Sequence, residues 1–372
     1  MQLKEYPFYL KSTVILFGLV LLVYVLINLS DILIPFSFAV IIAILLNPLV
    51  NRFRKMRLNN VLSIVFSMLI AFIVVSGIVY FLSSQILGFG ENLPVLKEKF
   101  VSLLSQLQNW VKHTFGMSIT KQVQLINEAL NNSKALLGKT VFSALGTIAV
   151  VVILPVYIFL LLFYKALILN FLFEIFSEEN SKKVADVLSQ TKTAIQSYMV
   201  GLLIEAIIVA TLNSIALLIL GVKYAILLGV IGAILNMLPY IGGIVAIALP
   251  ILVATVTKDG FSTQLGIVVA YAVIQFIDNN ILVPRIVSSK VKINALISIL
   301  TVILGNALWG IPGMFLSIPF MAILKIIFDR IEPLRPWGKL LGDEIPTKHK
   351  GQIWPRRRKK PSVAEKIVEE SQ

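Results

Sequence analysis

Apolar residues along this chain come in long runs rather than in alternation. The runs fall at 13–29, 32–50, 61–83, 141–164, 200–220, 222–256, 265–283 and 295–328. An α-helix needs about 20 apolar residues to cross a hydrocarbon core of about 30 Å. Strands of a membrane barrel would instead alternate over about 10 residues. The pattern therefore predicts an all-α polytopic membrane protein. The first run, Thr13 to Leu29, is too long for a signal peptide and carries no small-residue cleavage site, so it is read as a retained helix.

The sixth and eighth runs are too long for one upright span, and they resemble each other. Each opens on Val-Lys, at Val222-Lys223 and Val291-Lys292. Each then carries an asparagine followed by a Pro/Gly cluster: Asn236 with Pro239, Gly242 and Gly243, and Asn306 with Gly310, Pro312 and Gly313. Each has a later proline, Pro250 or Pro319. Breakers at membrane depth free backbone groups that only protein or water can satisfy. Paired broken segments point to the central site of a transporter. Either each run is two full spans, giving ten crossings, or each is a re-entrant hairpin, giving six crossings plus two hairpins.

Charge orients these alternatives. The loop after the second run holds Arg52, Arg54, Lys55 and Arg57 with no acid, and it should be cytoplasmic. The tail from Leu334 holds ten Lys/Arg against five Asp/Glu and should lie on the same side. Both termini are then cytoplasmic, which requires an even number of crossings. In the hairpin reading, helix 200–220 runs outward before a hairpin entering from outside. Helix 265–283 runs inward before a hairpin entering from inside. Two inverted helix-plus-hairpin repeats result, the arrangement preferred here.

Polar stretches complete the layout. Leu96, Phe100, Leu103, Leu104, Leu107, Trp110 and Val111 recur at helical spacing, with Lys97, Glu98 and Lys99 on the other side. They predict amphipathic helices, and topology places them outside the cytoplasm. A second amphipathic stretch, Ser181 to Met199, is expected inside. The chain divides into N-terminal membrane helices (1–83), an extracytoplasmic helical arm (84–140), a membrane helix with a cytoplasmic amphipathic helix (141–199), a core with the repeated broken segments (200–330) and a basic cytoplasmic tail (331–372). Composition agrees with this class: 58% hydrophobic, 14% charged and a mean hydropathy of +0.90. The net charge of +14 reads as a positive-inside signature and contact with anionic membrane lipid, not as nucleic-acid binding. The absence of cysteine excludes disulfides and thiol chemistry. No motif for a nucleotide, another cofactor, zinc or a catalytic nucleophile is present, so an enzyme is not expected.

Few ionisable groups stand within the runs. A carboxylate at depth costs a few kcal/mol and normally faces protein or a water-filled cavity. Asp278, followed by Asn279 and Asn280, can serve a cation, a proton or a polar solute. It can equally be a helix-end acid paired with Arg285. Glu205 can be a second functional acid or a polar clamp between helices, and neither has an evident neighbouring acid in sequence. Asn236 and Asn306 can ligate a solute or cap interrupted helices. Gly242, Gly243, Gly310 and Gly313 suit close backbone approach or non-helical torsions. Pro239 and Pro312 free carbonyls about one turn upstream. Freed carbonyls and helix termini can bind a solute without ionised side chains.

Three motifs carry a resemblance. Leu238-Pro239-Tyr240-Ile241-Gly242 resembles the Pro-Tyr-x-Gly signature of the autoinducer-2 exporter (AI-2E) family of bacterial permeases. Gln275 through Pro284-Arg285-Ile286-Val287 is similar to its acidic-Asn-x-x-x-x-Pro-Arg stretch, and Gly305 through Pro319 to its terminal Gly-x-x-Gly-x-x-x-x-x-Pro pattern. The chain departs from the family at Gly243, where a proline is common, and at Asn294-Ala295, where a His-Pro pair is common. The resemblance covers about residues 10 to 340. It implies a bacterial inner-membrane transporter, export of a signalling molecule by some members, sodium/proton antiport by others, and a homo-oligomer, a pentamer by resemblance, with an elevator-like moving part.

The expectation is a secondary transporter for a small polar solute, possible proton or sodium coupling included. Asn236, Pro239, Gly242, Gly243, Asn306 and Gly310 would shape its site. Asp278, Asn279, Asn280 and Glu205 would supply charge and hydrogen bonds. The alternatives are a sodium (lithium)/proton antiporter and a membrane scaffold without transport.

Overall fold

A computed structural model describes residues 7–91, 93–124, 127–128, 144–176, 178–237, 242–258, 260–287 and 293–343. The basic tail beyond 343, Pro239 and the second part of the arm lie outside these residues. The first helices are α1 (Phe8–Asn28), α2 (Ser30–Lys55), α3 (Asn60–Glu91) and α4 (Leu93–Phe115). The chain then resumes with α5 (Ala144–Phe163), α6 (Lys165–Ile175) and α7 (Glu178–Ile219). Next come α8 (Ala225–Asn236), α9 (Gly242–Thr257), α10 (Ser262–Ile277), α11 (Ala295–Arg330) and α12 (Arg335–Leu341). Among the described residues, six helices are long and apolar enough to cross a membrane, and a seventh if α5 and α6, bent by 62°, form one span. This is an all-α polytopic membrane protein.

Two regions fold back on themselves. Helices α8 and α9 have 12 and 16 residues. At 1.5 Å per residue each rises only ~18 or ~24 Å, short of a full crossing. They pack against each other, and a Cβ added to Gly242 would overlap the carbonyl of Leu235. Only glycine lets the backbone turn back this closely. Helix α11 breaks in its middle, where Trp309 (φ −133°, ψ 15°) and Gly310 (φ 62°, ψ −141°) leave helical geometry. Gly305 and Gly313 then meet backbone to backbone: a Cβ on Gly305 would lie 2.5 Å from the Gly313 carbonyl oxygen. In an unbroken helix these residues would be ~12 Å apart along the axis. Both breaker clusters thus produce close turns in the backbone.

Elsewhere the elements are longer than the apolar runs suggest. The amphipathic stretch 181–199 and the apolar run 200–220 form one 42-residue helix, α7, ~63 Å long. Its N-terminal polar turns and its apolar part belong to one helix because no proline separates them and the lone Gly201 at their boundary is tolerated within a helix. Helix α10 continues into a π-helical segment, Asp278–Val287, that contains Pro284. Such wide turns relieve the clash a proline makes inside a helix and are frequent at functional sites.

The core is distributed among helix contacts. Ala39, Ala43 and Val50 of α2 pack with Ile64 of α3 and with Ile158 and Leu162 of α5. Ser63 and Ser67 on α3 are fully buried, their hydroxyls donating to the carbonyls of Asn59 and Ser63. Small residues at such faces allow close helix approach inside a bilayer. A second cluster joins Leu217 of α7, Leu228 of α8, Ala246 and Val253 of α9, and Ile267 and Tyr271 of α10. A third joins Ile41 of α2, Met199 and Leu202 of α7, and Leu316 of α11. Met237, at the α8 turn, and Trp309, at the α11 turn, both pack on this third cluster.

Candidate functional site

Helix α7 presents Glu205, Val209 and Asn213 at four-residue steps, so all three lie on one face. Helix α10 presents Tyr271, Gln275 and Asp278 at steps of four and three, again on one face. These two faces meet with the C-terminal end of α8 and the start of α9 between them. Asn213, Asn236, Gly243, Tyr271, Gln275 and Asp278, with Val209, Ala246 and Ile274, surround a small cavity of about 10 Å³. That space holds about one water molecule or one small bare cation.

Asp278 is the centre of the polar contacts. It is 2% exposed. Its Oδ2 accepts from Asn236 Nδ2 at 2.9 Å and from Gln275 Nε2 at 3.5 Å. The Gln275 amide also donates to Asn279 Oδ1 at 3.3 Å. Glu205, itself buried, brings its carboxyl within hydrogen-bonding reach of Asp278. The two acids that stand far apart in sequence are therefore neighbours in the fold. Two carboxylates offer only acceptors to each other, so the contact closes only when one carries a proton or a cation bridges them. No ion pair forms between Asp278 and Arg285; the ion pairs among the described residues are Lys325–Asp329 and Arg330–Asp186.

Glu205 Oε2, Asn213 Oδ1, the Tyr271 hydroxyl and Asp278 Oδ1 are buried without a hydrogen-bond partner among the described residues. Buried polar atoms are nearly always paired, and each exception calls for a water, an ion or a functional role. This set is rich in oxygen and lacks a fixed positive charge. Among the described residues, no group of three or more His, Cys, Asp or Glu forms a metal cluster.

The fold distributes the expected site residues unevenly. Asn236, Gly243, Asp278 and Glu205 come together. Gly242 makes the tight approach to Leu235, and Gly243 sits so that a Cβ would lie 2.8 Å from Gln275 Oε1. Asn279 touches the site only through Gln275, whereas Asn280 donates to the Phe276 carbonyl of its own helix. Asn306 is exposed and lines no part of this cavity, and Gly310 supplies the turn in α11. The Trp309 indole beside it donates to the Leu26 carbonyl of α1 at 2.9 Å. Asn213, Tyr271 and Gln275 were not singled out from sequence. Their signal was the shared face with Glu205 on α7 and with Asp278 on α10.

These features coincide with a family of known type. The profile of the "AI-2E family transporter" group matches residues 14–332. The chain belongs to the AI-2E family. Among its relatives, YueF of Bacillus subtilis, named as a candidate transport protein, is 26% identical over 323 residues, covering 81% of this chain and 85% of the relative. The AI-2 transport protein TqsA of Escherichia coli is 25% identical over 319 residues, covering 84% and 90%. A candidate transport protein of Haemophilus influenzae is 25% identical over 321 residues, covering 84% and 91%. Members of the AI-2E family are transporters, and this chain is a multi-pass secondary permease of that family.

Proposed function

We propose that this AI-2E permease exports a small polar solute past the polar cluster at the ends of α8 and α10. The observation that carries the reading is the meeting of Glu205 and Asp278, surrounded by Asn213, Asn236, Tyr271 and Gln275 inside an apolar bundle. Ionisable groups are placed at such depth at a cost of a few kcal/mol, and transport pathways are where they recur. The likeness to TqsA supports a signalling molecule of the autoinducer-2 kind as the solute.

The proposal extends to topology, and the close backbone contacts of Gly242 with Leu235 and of Gly305 with Gly313 support the hairpin reading. Helices α8 and α9, and the two halves of α11, act as re-entrant hairpins within two inverted repeats. Both termini lie in the cytoplasm, and the arm around α4 lies outside. The permease works as a homo-oligomer, with a pentamer as the expected number by family resemblance. Pro239, expected at the site from the sequence, lies outside the described residues.

A second reading rests on the unpartnered oxygens. Glu205 Oε2, Asp278 Oδ1, Asn213 Oδ1 and the Tyr271 hydroxyl can hold a proton or a monovalent cation in the one-water cavity. The protein is then gradient-coupled, and in the limiting case it is a sodium (lithium)/proton antiporter. Purified protein in liposomes decides between these. A panel of polar solutes is offered with no gradient, with a proton gradient and with a sodium gradient. Solute flux that responds to a gradient supports the permease, and sodium movement against protons with no solute supports the antiporter. Absence of both at normal protein incorporation overturns the proposal.

A further inference from the structure

Far from the carboxyl pair, a cavity of about 560 Å³ opens where α2, α3, α5 and α6 meet. One side of it is apolar, lined by Leu58, Leu162, Phe163, Ala166 and Leu169. The other carries Arg54, Asn60 and Lys165. The Lys165 ammonium donates to Asn47 Oδ1 at 3.0 Å, and the Arg54 guanidinium donates to Asn60 Oδ1. Lys192 of α7 stands within electrostatic reach of Lys165, as does Arg54.

Two cations, Arg54 and Lys165, line the cavity, and among the described residues neither is ion-paired. The residues from Asn51 to Asn60 include no acid. Like charges held near one another repel, so the arrangement is stable only with an anion or with solvent between them. Asn47 holds Lys165 without itself lining the cavity. It is 5% exposed, its Oδ1 is taken by Lys165, and its Nδ2 is a buried donor with no acceptor. Cationic donors and apolar side chains lining one cavity match one kind of ligand, an anionic head attached to an apolar chain. Basic pockets between membrane helices take phospholipid headgroups in this way. A free phosphate would use the donors but would leave the apolar wall without a partner.

We propose that this pocket binds an anionic phospholipid, its phosphodiester against Arg54 and Lys165 and its acyl chain against Leu162, Phe163 and Leu169. The site lies at the membrane end marked by the Arg52–Arg57 basic loop, so the lipid comes from the leaflet on that side. The bend between α5 and α6 makes the pocket: α6 turns away by 62° and leaves the wedge that the lipid fills. This site is independent of the solute and of any coupling ion.

Native mass spectrometry of the full chain, with phosphatidylglycerol or phosphatidylcholine added to the detergent micelles, tests it. Phosphatidylglycerol should bind at least tenfold more tightly than phosphatidylcholine. Arg54→Gln with Lys165→Gln should remove that preference at least tenfold, while Lys165→Arg, which keeps the charge, should retain it. Inorganic phosphate at millimolar concentration should not displace the lipid. Equal binding of the two lipids, an unchanged preference in the double variant, or displacement by phosphate would each overturn the proposal. If the double variant is unfolded, the Lys165→Gln single variant at unchanged melting temperature takes its place, with a loss of at least threefold expected and none refuting the site.

Discussion

Asp278→Asn separates the role of charge at the carboxyl pair from its role in packing. The substitution keeps the shape of the side chain. Asn236 Nδ2, now 2.9 Å from Asp278 Oδ2, would still find an amide oxygen as acceptor. What is lost is the charge-assisted part of that bond. Hydrogen bonds to charged groups contribute about 1.5–3 kcal/mol and neutral ones about 0.5–1.5 kcal/mol, a loss of about 1 kcal/mol. In return the new amide N–H can donate to Glu205, whose Oε2 has no partner among the described residues. That gain is also about 1 kcal/mol. The two changes offset, so the folded variant should melt within a few degrees of the wild type in detergent.

Transport should not be spared in the same way. When the carboxyl pair holds a cation, Asp278 and that cation form a buried charge pair, and removing one partner of such a pair costs about 2–5 kcal/mol of binding. At 1.4 kcal/mol per factor of ten, the lower bound of about 2 kcal/mol is roughly 30-fold in affinity for the cation that the pair holds. Gradient-driven flux into liposomes should therefore fall by at least about 30-fold at subsaturating concentration. Unchanged flux and unchanged response to proton and sodium gradients, at a normal melting temperature, would refute the role given to Asp278. Loss of both flux and stability would show instead that the acid is a structural clamp.

Two further substitutions address the turns. Gly243→Ala places a methyl 2.8 Å from Gln275 Oε1 and 3.5 Å from Asn236 Oδ1, within a cavity that holds one water. Gln275 can yield by rotating, so stability should change by less than about 1.5 kcal/mol, while solute affinity falls at least severalfold in the flux assay; full retention of affinity counts against the cavity as the site. Gly313→Ala drives a methyl into the Gly305 backbone, which cannot rotate away. Overpacking of this kind costs about 1–3 kcal/mol, visible as a lower melting temperature in detergent, and an unaltered melting curve contradicts the tight turn.

Much of this architecture was legible because the bilayer imposes a simple rule. A helix must be apolar over its whole span, so the runs mark it, and a broken backbone needs glycine and proline, so the breaks mark themselves. Gly242, Gly310 and Gly313 were readable on that ground. Two things were not. The boundary between the amphipathic stretch before Met199 and the apolar run after it suggested two elements, yet a change in polarity does not break a helix and α7 continues through it. The neighbourhood of Glu205 and Asp278 was also hidden, because pairing across helices depends on which faces meet. Four-residue steps identify a face, as Glu205 and Asn213 do on α7, but a single sequence does not say which other face it seeks. The small residues supply part of that answer in retrospect: Gly229 and Gly232 let α8 lie against Ser214 and Asn213 of α7.

The two turns also show why similar sequence did not produce similar chemistry. Asn236 and Asn306 occupy matching places before their breaks, yet Asn236 donates to a buried acid and Asn306 is exposed. The difference lies in what each turn packs against. At the first, the end of α8 sits between α7 and α10, both of which carry polar residues on the facing side. At the second, the neighbours are apolar: Phe315 stacks on Phe38 of α2, Trp309 meets Phe320, and the indole N–H binds the Leu26 carbonyl of α1. An amide directed there would lack partners, so Asn306 points away and tryptophan takes the buried place. One turn therefore carries the polar site and the other fastens α11 to the N-terminal helices. A functional cycle that moves α8 relative to α10 would change the Asn236–Asp278 distance directly, whereas movement of the α11 turn must first break the Trp309–Leu26 bond. On the proposed function, the first turn is the one at which a solute or ion would couple to motion at the carboxyl pair.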